Sequence, residues 1–168
     1  NNTNDNKNEK NVHKPVTRLV YHPLFTNCNY HEAEENLRGR EVGAVVIRPS
    51  SKGGLSITWK FQENMYCHVE VEERGKRVGD IGLGKELYIK DIDEPFSDID
   101  EIYSRFVMPK NEFVTVMLAA KNFRSGTMAE VEQSLKEEVK SNPQRIPYCV
   151  HIDEKKPGWF VLVLPQNH

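Results

Sequence analysis

Between Val45 and Val71 the apolar residues keep a two-residue rhythm. Val45, Val46 and Ile47 form a continuous apolar run. Leu55, Ile57, Trp59 and Phe61 then alternate with Ser56, Thr58 and Lys60, and Cys67, Val69 and Val71 alternate with Tyr66, His68 and Glu70. Strict alternation marks a strand with one face against a core. The three segments predict an antiparallel meander whose second strand is half-buried, with Trp59 on its core side. In that pairing Arg48, Thr58 and His68 share one face of the sheet.

Around the meander the rhythm is helical. Asn29 and Glu32 predict a capped helix in which Tyr30, Ala33 and Leu37 share a face that leans on the sheet. Ser97 and Asp100 resemble a capping pair for a second helix, with Ile99, Ile102, Phe106 and Val107 inward and Pro109 ending it. A further helix is predicted from Asn111 to Phe123, with Gly126 as its stop. Thr127 and Glu130 then form a capping box ahead of Val131, Leu135 and Val139, and Pro143 closes that helix. Tyr148–Ile152 and Trp159–Leu164 read as two strands around a Lys-Lys-Pro-Gly turn. The predicted class is α+β, a central antiparallel sheet flanked by two helices, followed by a second helix-strand-strand start.

Composition narrows the function. The chain has 168 residues and a formal net charge of −2. Bulk attraction to nucleic acid is therefore not expected, and a basic site has to be local. No apolar run approaches the ~18 residues of a membrane span, and no signal-peptide pattern is visible. Cys28, Cys67 and Cys149 are widely separated and odd in number, which points to a reducing compartment with unpaired thiols and no metal site.

The candidate chemistry sits where the first strand ends. Ile47-Arg48-Pro49-Ser50-Ser51-Lys52-Gly53-Gly54 runs from a buried strand into a loop holding two hydroxyls, a lysine and two glycines. A guanidinium on a rigid strand offers a planar fork to two phosphate oxygens, and loop N–H groups and hydroxyls can donate to the others. Arg48, Ser50, Ser51 and Lys52 are the candidate phosphate ligands; Tyr30, Thr58, Lys60 and His68 are the candidate walls. Taken singly, each has an ordinary structural reading, as a surface arginine, a hairpin loop or a solvated histidine.

Two other patterns lead nowhere. Gly79-Asp80-Ile81-Gly82-Leu83-Gly84-Lys85-Glu86 has the spacing of a nucleotide-binding P-loop, but Glu86 stands where a magnesium-ligating hydroxyl is needed and would repel phosphates. It reads as a glycine-rich hairpin. Cys67 and His68 alternate to opposite faces of a strand and cannot form a nucleophile-base pair, so no enzyme is expected.

In their order, the helix His31-Glu32-Ala33-Glu34-Glu35, the strand Val45-Val46-Ile47-Arg48, the loop Ser50-Ser51-Lys52 and the strand Tyr66-Cys67-His68-Val69 resemble the Src homology 2 (SH2) family of phosphopeptide-binding domains. The Ile-Arg-Pro-Ser-Ser-Lys-Gly run, with His22-Pro23-Leu24-Phe25, Thr58-Trp59-Lys60 and Ile146-Pro147-Tyr148, is similar to a tandem SH2 region in a nuclear histone chaperone and transcription elongation factor. The resemblance covers roughly residues 18–165. The Asn-rich polar start has too little apolar surface to fold alone and predicts a flexible tail over 1–17; the resemblance implies an N-terminal SH2 domain over 18–110, a connecting helix over 111–126, and the truncated start of a second SH2-like domain over 127–168. It also implies a partner, a phosphorylated peptide from the linker or tail of the largest subunit of RNA polymerase II, with no cofactor.

Two departures from the phosphotyrosine-reading pattern stand out. Tyr30 and Glu70 occupy positions where that pattern places cations that clasp the phosphotyrosine ring. Phosphoserine and phosphothreonine are therefore expected beside phosphotyrosine. The strand Tyr148-Cys149-Val150-His151-Ile152 lacks an arginine at the corresponding end, so no second phosphate site of this kind is expected there. Two alternatives stay open: a nucleic-acid or acidic-surface reader using Arg48, Lys52 and Lys60, and a structural interaction domain with a vestigial pocket.

Overall fold

The computed structural model describes residues 17–156 and 158–165. The tail expected over 1–17 lies, apart from Thr17, outside the described residues. Four strands, β1 (Val45–Pro49), β2 (Leu55–Gln62), β3 (Met65–Arg74) and β4 (Glu86–Ile89), form one antiparallel sheet in sequence order. Ile47 lies opposite Ile57, and Thr58 opposite both Val46 and His68, so the alternation in the sequence becomes two distinct sheet faces.

One face carries the main core. Val45, Ile47, Leu55, Ile57, Trp59, Phe61 and Val71 pack there against Ile99, Ile102, Val107 and Val114 of the second helical run. The other face is covered by α1 (Tyr30–Arg38), whose Ala33 and Leu37 close over Val46, Ala44 and Cys28. Full burial of a leucine such as Leu37 contributes about 1.5 to 3 kcal/mol. The capping box at α1 forms as expected: Asn29 Oδ1 accepts from the Glu32 amide, and the Glu32 carboxylate accepts from the Asn29 amide. This is the α+β arrangement predicted, a sheet between two helical layers.

The structure corrects three local expectations. The second strand is buried on both faces: Ser56, Thr58 and Lys60 are as deeply buried as Leu55, Ile57, Trp59 and Phe61. Tyr30 does not join Ala33 and Leu37 inside; it is 47 % exposed at the open end of α1. The helix after the sheet is capped by Asp98, which accepts from the Glu101 amide, while Glu101 reaches back to Ser97.

Pro109 does not end that helix. α2 (Ile99–Ile102) passes through a π-helical turn, Tyr103–Val107, straight into α3 (Met108–Leu118). In the wide turn the Met108 amide donates to the Tyr103 carbonyl, so Pro109, with no N–H to give, falls in the first turn after the register has shifted. The boundary expected at 110/111 thus lies inside continuous helix, and 120–126 is turn and loop rather than helix.

α4 (Met128–Ser141) opens on the Thr127–Glu130 capping box and packs Val131 and Leu135 on Cys149 and Val163 of a two-stranded sheet, β5 (Cys149–Ile152) and β6 (Phe160–Val163). This second unit lies against the first. Ile152 belongs to the main core, and the Phe160 ring meets Phe113 edge-on at 5.7 Å. Gly158, with φ +84°, approaches Trp59 so closely that a Cβ would stand 2.8 Å from the indole. Trp59 itself is buried, and its Nε1 donates to Asn111 Oδ1 at 2.6 Å.

Candidate phosphate-binding site

Arg48 enters its site from a strand buried along its whole length, so its backbone is fixed before its side chain is considered. The residue is only 7 % exposed. Its Nε donates to Thr58 Oγ1 at 3.0 Å and its Nη1 to the Pro49 carbonyl at 3.2 Å. Among the described residues its Nη2 donates to nothing, and no carboxylate lies within ion-pairing distance. Burial pushes the guanidinium below its ordinary pKa, while Cys28, Glu70 and Glu34 pull it back up. Buried charges ordinarily sit against a counter-charge; here the fork is held by two neutral oxygens, with its remaining donors available.

A relay orients it. Thr58 Oγ1, already accepting from Arg48, lies 3.1 Å from His68 Nδ1, and His68 Nε2 lies 3.0 Å from Glu34 Oε1. With the Thr58 hydroxyl donating to Nδ1, the proton of a neutral imidazole stands on Nε2 and faces the carboxylate. The Tyr30 ring stands edge-on to His68, its centroid 6.0 Å away. Arg48, Thr58, His68 and Tyr30 are therefore gathered in one place.

The loop places the other candidates less uniformly. Ser50 is buried; its hydroxyl donates to Glu70 Oε2 at 2.5 Å and accepts from the Lys52 amide at 3.1 Å. Ser51 and Lys52 are exposed on the loop. Gly53 and Gly54 take φ of +86° and +73°, and the Ser50 amide closes the loop on the Gly54 carbonyl at 3.1 Å. A side chain at Gly54 would meet the Val71 carbonyl at 2.6 Å.

Lys60 is not a pocket wall. It is 1 % exposed, and its ammonium donates to the Arg38 and Arg40 carbonyls at 3.1 and 2.8 Å and pairs with Glu63. Alternation puts it on the right face, but two residues beyond Thr58 along β2, where it meets the carbonyl-rich end of α1 instead of the open one.

Sequence reasoning missed Glu34, which lies one turn after Tyr30 on the same side of α1; that spacing was the available signal. It also missed Cys28, whose thiol is raised by burial and partly lowered by Arg48. Beyond β3 the site opens into a groove of about 770 Å³ floored by Cys67, Val69, Ile89 and Phe106 and walled by Trp159 and Phe160 of the second unit. Lys110, its pKa lowered by burial and partly restored by Cys67, sits 3.8 Å over the Trp159 ring. In the second unit His151 is buried on β5 and its Nδ1–H donates to the Arg124 carbonyl. Among the described residues no cluster of side chains could hold a metal ion, and no helix is long and apolar enough to cross a membrane.

The chain is similar to known proteins. Transcription elongation factor SPT6 of Debaryomyces hansenii is 37% identical over 153 residues, 90% of this chain and 10% of that protein. The SPT6 homolog of Arabidopsis thaliana is 38% identical over 152 residues, 87% of this chain and 9% of that protein. The chain thus spans about a tenth of the length of these relatives. A solved tandem SH2 domain of transcription elongation factor Spt6, described as binding the phosphorylated RNA polymerase II C-terminal repeat domain, matches with TM-score 0.80 and 31% identity over 89% of this chain and 76% of that one. The tandem SH2 domains of Antonospora locustae Spt6 share the fold at TM-score 0.64 and 23% identity, over 85% of this chain and 73% of that one. With the SH2 domain family model matching residues 1–168 and the solved tandem domain overlaying most of the fold, this chain belongs to the SH2 domain family.

Proposed function

We propose that this chain is a phosphopeptide-binding module that reads a phosphorylated linker or tail segment of the largest subunit of RNA polymerase II. It would thereby recruit a nuclear transcription elongation factor and histone chaperone of which it forms part. The observation that carries the reading is Arg48, a buried guanidinium with no carboxylate partner among the described residues and donors to spare. A phosphate monoester supplies the missing counter-charge in the bidentate geometry the fork prefers. The solved relative's partner, the phosphorylated polymerase repeat domain, is the source of the proposed ligand. Ser51, Lys52 and the loop amides would complete the anion site, and Thr58 and His68 would hold the fork. Ser50, committed to Glu70, would act through the loop. The module binds and does not catalyse.

Tyr30 and Glu70 bear on which phosphoresidue is read. The first offers an aromatic edge and the second an anion, and neither clasps a phosphotyrosine ring as a cation would. Phosphothreonine or phosphoserine should bind about as well as phosphotyrosine. Titrating the chain with matched linker and repeat peptides, phosphorylated and not, tests both statements. Binding only when the peptide is phosphorylated is expected. Equal affinity without phosphate sinks the module reading, and a phosphotyrosine advantage of about tenfold or more, ~1.4 kcal/mol, sinks the second statement. Affinity that ignores phosphate but falls steeply with salt would point to nucleic acid instead.

A further inference from the structure

Arg18 is the other deeply buried arginine, 7 % exposed, and every nitrogen of its side chain is engaged. Nε donates to the Ile81 carbonyl at 3.1 Å, and Nη2 to Glu73 Oε1 and the Gly82 carbonyl, both at 2.7 Å. Nη1 donates to Glu73 Oε2 at 2.8 Å and to the Gly54 carbonyl at 3.2 Å. That last bond reaches outside the local pair. The Gly54 carbonyl is the acceptor on which the Ser50 amide closes the loop beside Arg48. One oxygen therefore takes a hydrogen bond from the loop's first residue and another from a charged group on a distant segment.

Resting on the phosphopeptide reading above, we propose that Arg18 is a positioning residue for the phosphate loop, holding the Gly54 carbonyl so that residues 50–54 stay folded toward Arg48. Three features make it suited to this. Its own backbone is pinned on both sides by Asn27, which accepts from the Arg18 amide at 2.7 Å and donates to its carbonyl at 2.8 Å. Glu73 on β3 is in turn fixed by the Gly84 amide at 2.8 Å. Gly54, lacking a Cβ, is the residue that can lie against the Val71 carbonyl while offering its own oxygen to the guanidinium. The glycine-rich segment that imitates a P-loop thus has a different use: it turns carbonyls toward a cation, where a phosphate site would turn amides toward an anion.

The test uses the full chain and two substitutions. Arg18→Lys keeps a charge opposite Glu73 but cannot reach Glu73, Gly82, Ile81 and Gly54 together; Arg18→Gln removes the charge. Both should speed amide exchange at Ser50 and Gly53 while leaving Val46 and Ile47 protected, and both should weaken binding of a phosphothreonine linker peptide by about tenfold. Arg124→Gln, which breaks an ion pair with Glu138 in the second unit, is the control for a merely structural loss and should leave the peptide affinity unchanged. Folded Arg18 variants with wild-type exchange at Ser50 and affinity within about twofold would overturn the proposal, and so would an equal loss of affinity in Arg124→Gln. In the unmutated chain the Arg18 Nη1 protons, which meet the Gly54 carbonyl, should be protected from exchange with solvent; freely exchanging Nη1 protons overturn the proposal even where both substitutions prevent folding. Should the wild-type chain bind no phosphopeptide at all, the functional reading fails, and exchange at Ser50 still decides whether Arg18 orders the loop.

Discussion

Arg18 and Arg48 are equally buried, yet one is saturated and the other is not. Arg18 sits against a carboxylate whose side chain is 2 % exposed and spends its remaining donors on three backbone carbonyls. Among the described residues Arg48 has a hydroxyl and a single carbonyl, with Glu34 and Glu70 acting on it only from a distance. Depth alone therefore does not distinguish an arginine whose donors are all used from one with donors to spare. The difference lies in whether the fold supplies the counter-charge. Where it does, removing the arginine strands a buried anion; where it does not, removing it relieves a desolvated cation.

The largest effect should follow from breaking the saturated site. Arg18→Met leaves Glu73 buried and unpaired, and loss of one member of such a pair costs about 3 to 5 kcal/mol. Chemical denaturation should show the midpoint falling with little change in slope. Arg48→Met, of similar shape, should be close to neutral in the same experiment. If the two variants lose equal stability, the contrast between the sites is wrong.

Binding should reverse the order. Losing a desolvated charge-assisted contact costs on the order of 2 to 5 kcal/mol, so Arg48→Ala should nearly abolish phosphopeptide affinity in a calorimetric titration. Arg48→Lys should do almost as badly, because a point charge does not reproduce the planar fork. Undiminished affinity in either variant would remove Arg48 from the site.

The contrast between the two arginines was half legible in the sequence. Arg48 could be found because period-2 alternation places it on the face of Thr58 and His68 at the end of an apolar strand, and that is where it lies. Alternation fixes a face and not a position along it, which is why Lys60 was drawn into the pocket although it caps α1 from below. Arg18 and Glu73 are 55 residues apart, and no local pattern joins them; only the pairing of β3 with β4 and the path of the intervening glycine loop bring them together. Pro109 misled for a related reason. Its local rule assumes α-helical register, and a π-turn five residues long alters the register just before it.

Titration offers a gentler way to break the saturated site. Burial by itself would raise the pKa of Glu73, but the Arg18 fork, the Gly84 amide and the charge of Lys76 outweigh it and hold the carboxyl below its ordinary value. A depressed carboxyl contributes stability that is complete above its unfolded value and is lost as pH falls through its folded value. Melting temperature should therefore drop on acidification below about pH 4.5, and Glu73→Gln should flatten that part of the profile. The loss should be smaller than in Arg18→Met, since a neutral carboxyl is no stranded charge and Arg18 keeps its carbonyls. An acid limb unchanged in Glu73→Gln would mean that other carboxylates govern it.

The smallest effect belongs to the group that orients Arg48 without carrying charge. Thr58 is fully buried, and its hydroxyl both accepts from Arg48 Nε and bridges to His68. Thr58→Val keeps the shape and the β-branched fit to the strand while removing the only atom that links the two. The unmade hydrogen bonds should cost about 1 kcal/mol of stability, and phosphopeptide affinity should fall by about three- to fivefold, less than 1 kcal/mol, since the fork stays on its strand but loses one of two restraints. His68 should report the same change through its ring-nitrogen shifts, because Nδ1 loses the hydroxyl it meets at 3.1 Å. A Thr58→Val variant with unaltered His68 shifts would show that the relay is a set of neighbours and not a restraint, leaving the rigidity of β1 alone to aim Arg48.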